Sequence, residues 1–235
     1  MPNLNIQQHL LTPNPYSRPS LVLRTVHKII IHWVANPATS AIANRNYFEN
    51  LKHGTRGVYA SAHYIVGLDG EILQCIPDTE LAYHAKNANT YSLCVEVCHP
   101  DWEGQFSSTT YEALIHLLAK LCMTYNLDPA KDLLRHYDIT GKVCPKYYVH
   151  HPALWTLLKA DVMHILNQTY LSLTPHTNLE PLPICLLLND KQKTVYSFLY
   201  KDEHYVRLRD LQDDCLKVGY DKLRRMPILL INNFS

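Results

Sequence analysis

The sequence lacks the features of an exported or membrane-inserted chain. Its first residues, MPNLNIQQHLLTPNPYSRPS, contain no charged start followed by an apolar run, which is the pattern of a secretory signal peptide. No stretch approaches the ~20 consecutive apolar residues that a membrane-spanning helix needs. We therefore expect a protein that has no signal peptide, folds in the cytoplasm and does not insert into a membrane.

The sequence also has no excess of charge of one sign. The formal net charge is +1 and no basic run stands out, whereas nucleic-acid-binding domains carry clustered lysine and arginine. The 7 cysteines are odd in number and irregularly spaced, which is typical of a reduced compartment rather than of a disulfide framework. The composition thus argues against a nucleic-acid partner and against a fold held by disulfides.

Histidine and tyrosine are abundant instead, with 14 and 16 residues. Imidazole is the commonest metal ligand in proteins and titrates near neutral pH. The histidine content therefore slightly favours a metal or acid–base site, because most histidines of any chain lie on the surface. A chain of 235 residues, 47% hydrophobic and 18% charged, is long enough for one large domain or for a medium and a small one.

Short β-branched runs alternate with helical patterns along the chain. "VHKIIIHWV" (26–34) and "SLCVEVCHP" (92–100) predict buried strands, and Asp69-Gly70 predicts a hairpin. "TTYEALIHLLAKLCMTYNL" predicts a helix that Thr109 and Glu112 cap, and "DLLRHYDI" predicts a short strand that runs into a loop. The fold class is therefore α/β, with a central mixed β-sheet flanked by helices.

Composition changes near the end of the chain. Residues 167–181, "NQTYLSLTPHTNLEP", are polar and aperiodic, which predicts a linker. We expect a main domain over 1–166 and a small C-terminal α+β module over 182–235, with a short helix at "LRDLQDDCLKV" (208–218).

Glu96 is the first candidate for chemistry. Strand alternation places it with Cys94 and Cys98 on one face of an otherwise apolar run. A carboxylate there is costly unless it is paired or functional. A glutamate at a strand edge or paired with an arginine explains the position equally well.

A possible metal site comes from His32, His136 and Cys144. Catalytic zinc takes imidazole and thiolate ligands from three protein residues and leaves a fourth position for water. A lone histidine is more often a core residue bonded to a carbonyl, so the trio by itself is a moderate signal. Lys142 favours hydrolysis, because a cation repels a structural metal but stabilises an oxyanion. A solvated loop lysine, which is common anywhere, is the alternative interpretation.

Five strings, in this order, make the pattern specific: "IIIHW", "SAHYIVGLDGEILQCIP", "AYHAKN", "SLCVEV" and "RHYDITGKVCP". Over roughly residues 24–166 the chain resembles the zinc-dependent N-acetylmuramoyl-L-alanine amidases of type 2. That family includes phage lysozyme-like amidases and the animal peptidoglycan recognition proteins. The resemblance implies their fold, with bacterial peptidoglycan as partner and a reaction at the amide between N-acetylmuramic acid and L-alanine.

The resemblance also implies roles for single residues. The Zn²⁺ ligands fall on His32, His136 and Cys144. Glu96 takes the position of the general base, Lys142 lies near the scissile carbonyl, and His84 lines the substrate groove.

One position departs from the family pattern. Some relatives have an active-site tyrosine where this chain has Ala62, so we assign the base to Glu96 and expect Tyr64 to be a packing residue. We expect His63 to be buried rather than to bind metal, and Cys94 to be a small core residue.

Two other functions remain open at this point. In relatives that only bind peptidoglycan, the ligand cysteine is typically replaced, so the presence of Cys144, Lys142 and Glu96 favours an enzyme. A structural zinc domain would need a fourth protein ligand near the trio.

The resemblance further implies an endolysin, stored in the cytoplasm until host lysis and then acting on the cell wall; a bacterial autolysin exported by another route is the alternative. The tail string "YVRLRDL…VGYD" resembles a repeat of wall-associated domains. It indicates a wall-binding module, or a dimerising one that would make the protein a homo-oligomer. A β-rich appendage packed on the amidase is the competing interpretation.

Overall fold

The computed structural model describes residues 4–54 and 57–173, and in the C-terminal part 182–188, 191–200, 203–206, 211, 216–221 and 226–231. The chain divides into two compact units, Met1–Leu173 and Thr174–Ser235.

The first unit contains a six-stranded sheet of order β1-β4-β3-β5-β2-β6. Its strands are β1 (Ile6–Gln8), β2 (Lys28–Trp33), β3 (Tyr64–Val66), β4 (Ile72–Gln74), β5 (Ser92–Val97) and β6 (Leu133–Arg135). β3, β5, β2 and β6 run parallel to one another. β4 pairs antiparallel with β3, and β1 runs parallel to β4. The sheet is therefore mixed, as the sequence predicts.

Six helices accompany this sheet in the described part of the first unit. They are α1 (Ala41–Asn50), α2 (Ser108–Tyr125), α3 (Pro129–Asp132), α4 (His136–Thr140), α5 (Lys146–His150) and α6 (Pro152–Leu173). Two 3₁₀ turns, Leu51–His53 and Lys86–Thr90, complete the regular structure.

One face of the sheet forms the main hydrophobic core with α2 and α6. Alternate residues of β2 and β5 supply its strand side, because successive side chains of a strand point to opposite faces. Its buried members include Ile29, Ile31, Leu93, Val95, Leu114, Leu117, Leu118, Leu158 and Val162. Burying each such side chain contributes roughly 1.5–3 kcal/mol relative to leaving it exposed.

The opposite face carries a smaller core and the polar residues of interest. Cys94 and Cys98 lie there, in a cluster that includes Phe48 of α1. The predicted alternation along β5 is confirmed, so Glu96 lies on this second face and not among the residues packed against α2 and α6.

The predicted hairpin is also confirmed. β3 and β4 pair antiparallel, and the turn closes with the Gly67 N–H donating to the Glu71 carbonyl at 2.8 Å. Gly70 adopts φ +80° there, a conformation that glycine takes without steric cost.

Two local predictions are wrong. The N-cap of α2 is Ser107, whose side chain accepts from the Thr110 N–H, and not Thr109. The segment after β6 is the short helix α4 rather than a loop, because the Asp138 carboxylate accepts from the Arg135 N–H at 2.8 Å and caps its first turn.

The predicted boundary at residue 166 also needs correction. Helix α6 continues to Leu173, so the first part of the expected linker 167–181 is helical. Thr169 in this part is buried, and its hydroxyl donates to the Ile165 carbonyl at 2.9 Å. A polar sequence does not by itself end a helix. Here the buried Thr169 keeps the last turns of α6 packed.

The second unit consists of antiparallel strands in its described residues. β7 (Leu182–Leu188), β8 (Lys191–Tyr200) and β9 (Glu203–Val206) form one sheet, and β10 (Leu216–Asp221) pairs with β11 (Met226–Ile231). Of the helix predicted over 208–218, residues 216–218 lie in β10, while the rest except residue 211 falls outside the described residues. Among the helices described, none combines the length and apolar character needed to cross a membrane.

Candidate active site

Three adjacent parallel strands end at the same edge of the sheet. β2 lies between β5 and β6, and the carboxyl ends of parallel strands meet at one edge, where α/β proteins commonly place their sites. His32 is the next-to-last residue of β2 and Glu96 that of β5, and the two are register partners. His136 follows β6 directly.

These strand ends bring the three predicted ligands together. One ligand atom from each of His32, His136 and Cys144 lies within 4.8 Å of the others, and all three residues are buried. The His32 Nδ1 atom is 3.7 Å from the Cys144 Sγ atom. Cys144 is fixed against α4, since its carbonyl accepts from the Tyr137 N–H at 3.0 Å.

The trio fits a tetrahedral metal ion. Zinc–sulfur and zinc–nitrogen bonds of about 2.3 and 2.0 Å place two tetrahedral ligand atoms about 3.5 Å apart, close to the His32–Cys144 distance. The buried Nδ1 atom of His136 has no hydrogen-bond partner among the described residues. Such an orphaned nitrogen is costly in an ordinary core, so a ligand role explains it better.

His63 is a buried histidine whose two ring nitrogens both have hydrogen-bond partners. Its Nδ1 accepts from the Cys94 N–H at 3.0 Å, and its Nε2 lies 2.9 Å from the Glu80 carbonyl oxygen. The ring is fully buried with both nitrogens satisfied. The interpretation of His63 as a structural histidine is consistent with these bonds.

Burial keeps the histidines in the form that binds metal. It lowers the pKa of His32 well below the usual value, and together with the positive charges of Lys142 and Lys86 it lowers the pKa of His136 to about 4. Burial and Glu96 raise the pKa of Cys144 to about 12, while the Trp33 N–H and Lys142 lower it. A thiol must lose its proton to ligate a metal, so metal binding at Cys144 should release a proton.

Among the described residues, Glu96 has no arginine partner, and its side chain is only 15% exposed. Its Oε1 lies 3.9 Å from the His32 Nδ1, and its Oε2 is buried with no partner in the part of the chain that the structure describes. Burial raises the pKa of Glu96 to about 8, against the opposing effect of Lys142. A carboxyl group with a pKa near neutral is suited to taking up and returning a proton.

The candidate metal ligands and Glu96 face one cleft of about 810 Å³. The six residues selected from the sequence line it: His32, His84, Glu96, His136, Lys142 and Cys144. The His84 ring lies 5.5 Å from the His32 ring, centroid to centroid, and its Nε2 is 3.3 Å from the Ser92 hydroxyl oxygen. The sequence therefore identifies groups that the fold brings into a single cavity.

Comparison with known proteins agrees with this geometry. Residues 23–147 match the family described as N-acetylmuramoyl-L-alanine amidase. The chain belongs to that family.

Among curated amidases, the chain is 37% identical over 173 residues to a probable N-acetylmuramoyl-L-alanine amidase of Bacillus licheniformis, covering 68% of this chain and 48% of that protein. The chain spans about half the length of the curated relatives it matches.

Solved structures show the same amidase fold. The catalytic domain of XlyA superposes with a TM-score of 0.56 at 25% identity, over 67% of this chain and 99% of that one. A mutant endolysin from Bacillus subtilis gives a TM-score of 0.56 at 24% identity, over 68% and 99%. The mixed sheet with flanking helices is thus an amidase fold.

Several residues that line the cleft have no role predicted from the sequence. Trp33 stacks on His99 with ring centroids 4.6 Å apart, and Tyr59 packs edge-on against Tyr83 at 5.7 Å. Lys86 also lines the cleft, with φ +53°. The left-handed conformation costs an L-residue roughly 1–2 kcal/mol. Trp33, Tyr83 and Lys86 lie within the strings "IIIHW" and "AYHAKN", but their residue types do not assign them a role, because aromatic residues and lysines are common on any surface.

A second group of donors shares His32. The ligand atoms of His32, His84 and Cys94 also lie within 4.8 Å of one another. Cys94, however, is fully buried in the hydrophobic cluster below the site, and burial with the nearby Glu96 and Cys144 raises its pKa well above normal. Cys144 instead lines the cleft beside Lys142, so the group that contains Cys144 is the better candidate.

Two matched substitutions decide between these groups. Cobalt(II) bound to a thiolate shows an intense sulfur-to-metal absorption band, so the Co²⁺-substituted protein should show it. Cys144→Ala should lose the band and bind cobalt more weakly. Cys94→Ala should keep the band and the cobalt affinity of the parent protein. The reverse pattern, in folded variants checked by circular dichroism, would assign the metal to the His84–Cys94 group.

Proposed function

We propose that the protein is a zinc-dependent peptidoglycan hydrolase that cleaves the amide between N-acetylmuramic acid and the L-alanine that begins the stem peptide. The observation that carries this proposal is the convergence of His32, His136 and Cys144 with Glu96 in one cleft. Membership of the amidase family supports it.

The donor set favours a catalytic zinc site over a structural one. Two imidazoles and one thiolate are ligands that zinc prefers, and catalytic sites use three protein ligands where structural sites use four. No fourth histidine, cysteine or carboxylate joins the trio within the described residues. When bound, zinc supplies Lewis-acid polarisation of the carbonyl and lowers the pKa of water towards ~7.

Glu96 is the proposed general base. Its carboxylate accepts the proton of the attacking water and returns it to the nitrogen of the leaving amine. Burial raises its pKa, which makes it a stronger base than a solvated carboxylate. The same groups argue against a protein that only binds peptidoglycan, since binding needs no such base.

Lys142 and His84 are proposed to act on the substrate. The ammonium of Lys142 stabilises the negative oxygen that forms when water adds to the carbonyl. Its charge lowers the pKa of both Glu96 and His136, so its field reaches the reacting centre. His84, whose backbone N–H is held by Asn89 at 3.0 Å, contacts the bound substrate from the cleft wall.

We further propose that the enzyme serves as an endolysin, held in the cytoplasm until host lysis. This rests on the resemblance found in the sequence and on the fold it shares with a protein named as an endolysin. For residues 182–235 we propose a wall-binding role, with pairing of two chains as the alternative.

The bond specificity can be read from the products. Purified protein incubated with isolated cell walls should release new N-terminal alanine and no new reducing sugar. Chelation should abolish the release and added zinc should restore it, with about one zinc per chain. New reducing sugar without alanine would assign a glycosidase instead, and full activity in a metal-free sample would exclude the metal mechanism.

Substitution of Glu96 separates chemistry from metal binding. Glu96→Gln keeps the shape and the zinc but removes the base, so the rate should fall on the order of 100-fold or more. The matched control is Glu103→Gln, since the Glu103 side chain is 79% exposed and outside the cleft, and it should be fully active. A Glu96→Gln variant as active as the parent would make Glu96 a structural residue.

The role of the tail can be tested by truncation after Leu173. The shortened chain keeps every residue assigned to the reaction and should fold, bind zinc and cleave soluble muropeptides. Truncation after Leu166 removes the end of α6 with buried Thr169 and should be less stable by about 1–2 kcal/mol.

If residues 182–235 hold the wall, the chain ending at Leu173 should bind intact walls less well than the full chain, because tethering raises the local concentration of the active site. Equal wall binding by the two chains would remove the wall-anchor role, and a change in oligomeric state would favour pairing.

A further inference from the structure

We infer that Lys86 binds a carboxylate of the stem peptide and thereby selects anionic substrates. This inference rests on the proposed amidase function and assigns a specificity-determining residue to it. The carboxylate that we test is on the residue that follows L-alanine, next to the scissile amide on the peptide side.

The first support is the position of Lys86. It opens the 3₁₀ turn Lys86–Thr90 and lines the same cleft as Glu96 and His136. A substrate bound in this cleft would therefore meet Lys86 as well as the candidate metal ligands.

The second support is the backbone of the turn. Lys86 adopts φ +53°, a left-handed conformation that favours glycine. The other non-glycine residues with positive φ in the described part of the chain, Ser20, Ala35, Ala38 and Asn126, do not line the cleft. The backbone alone gives no reason for a lysine here, whereas strained residues commonly persist at ligand-binding sites.

The turn is also held rigid around this residue. The side-chain oxygen of Asn89 accepts hydrogen bonds from the N–H groups of His84 and Ala85, at 3.0 and 2.7 Å. Asn89 itself lines the cleft. The segment that carries Lys86 is therefore fixed before substrate arrives, which reduces the entropy lost on binding.

The third support is an uncompensated charge. Lys86 and Lys142 both line the cleft, where Glu96 is the one carboxylate among the described lining residues. No described carboxylate forms an ion pair with Lys86. In contrast, Lys28, Lys52 and Lys131 pair with Asp132, Glu49 and Asp128. Since Lys142 is assigned to the oxyanion, Lys86 is left to complement a negative charge that the substrate brings.

The test compares two substrates that differ by one charge. They are muramoyl tripeptides that carry, on the second residue, either a free α-carboxylate or the corresponding carboxamide. The zinc-loaded full chain should show a KM about tenfold lower for the carboxylate, as a charge-assisted hydrogen bond provides. The kcat values should agree within about twofold, because Lys86 does not touch the reacting atoms.

Variants of Lys86 should remove this preference. Lys86→Gln should raise the KM for the carboxylate substrate to that of the carboxamide, whereas Lys86→Arg should keep the preference. Lys86→Gly should behave like Lys86→Gln, and it decides the matter if Lys86→Gln folds poorly, because glycine tolerates the positive φ. The control is Lys131→Gln, since Lys131 lies before β6, at the opposite edge of the sheet from the cleft.

The outcomes separate the two hypotheses. If the parent cleaves both substrates with equal KM, or if Lys86→Gln and Lys86→Gly keep the parent's preference, the inference about Lys86 is wrong and the amidase proposal stands. If the parent cleaves neither substrate and releases no alanine from walls, the amidase proposal fails and this inference fails with it.

Discussion

The parallel pairing of β2 with β5 and β6 is the constraint on which the site depends. It brings three strand ends to one edge and sets His32 opposite Glu96. A shift of one residue in this register would turn the Glu96 side chain into the core beneath α2 and α6. The large apolar face of the same strands prevents that shift, so the core that stabilises the domain also fixes the positions of His32 and Glu96.

Burial then sets the protonation of those groups. It lowers the pKa of His32 and His136, which keeps their imidazoles neutral, and it raises the pKa of Glu96, which strengthens it as a base. The charges of Lys142 and Lys86 lower the pKa of His136 further, whereas that of Lys142 opposes the rise in the pKa of Glu96. One edge of the sheet thus combines neutral histidines that could hold a metal, a buried carboxylate and two lysines.

Elements with strong local patterns could be predicted from the sequence. Helix ends that depend on contacts with distant segments could not. The alternation along β5 and the Asp69-Gly70 hairpin follow from side-chain period and turn chemistry. Serine and threonine both cap helices well, but the N-cap of α2 is Ser107, whose side chain accepts from the Thr110 N–H. The Thr110 hydroxyl donates to the Gly67 carbonyl at 3.0 Å, a contact between distant segments that holds Thr110 in the first turn of the helix. The sequence does not predict that α6 continues to Leu173, because the residues after 166 are mostly polar and the burial of Thr169 depends on the fold.

The sequence by itself determined which kinds of ligand and base are present and in what order, since histidine, cysteine, glutamate and lysine keep their chemistry in any fold. Only the tertiary structure decided that His32 and Cys144, separated by 112 positions, lie 3.7 Å apart. It also decided that Cys144 rather than Cys94 faces the cleft and that Lys86 joins it. The physical reason is that strand pairing and burial act between distant segments, and no local pattern records which of two similar residues they will bring together.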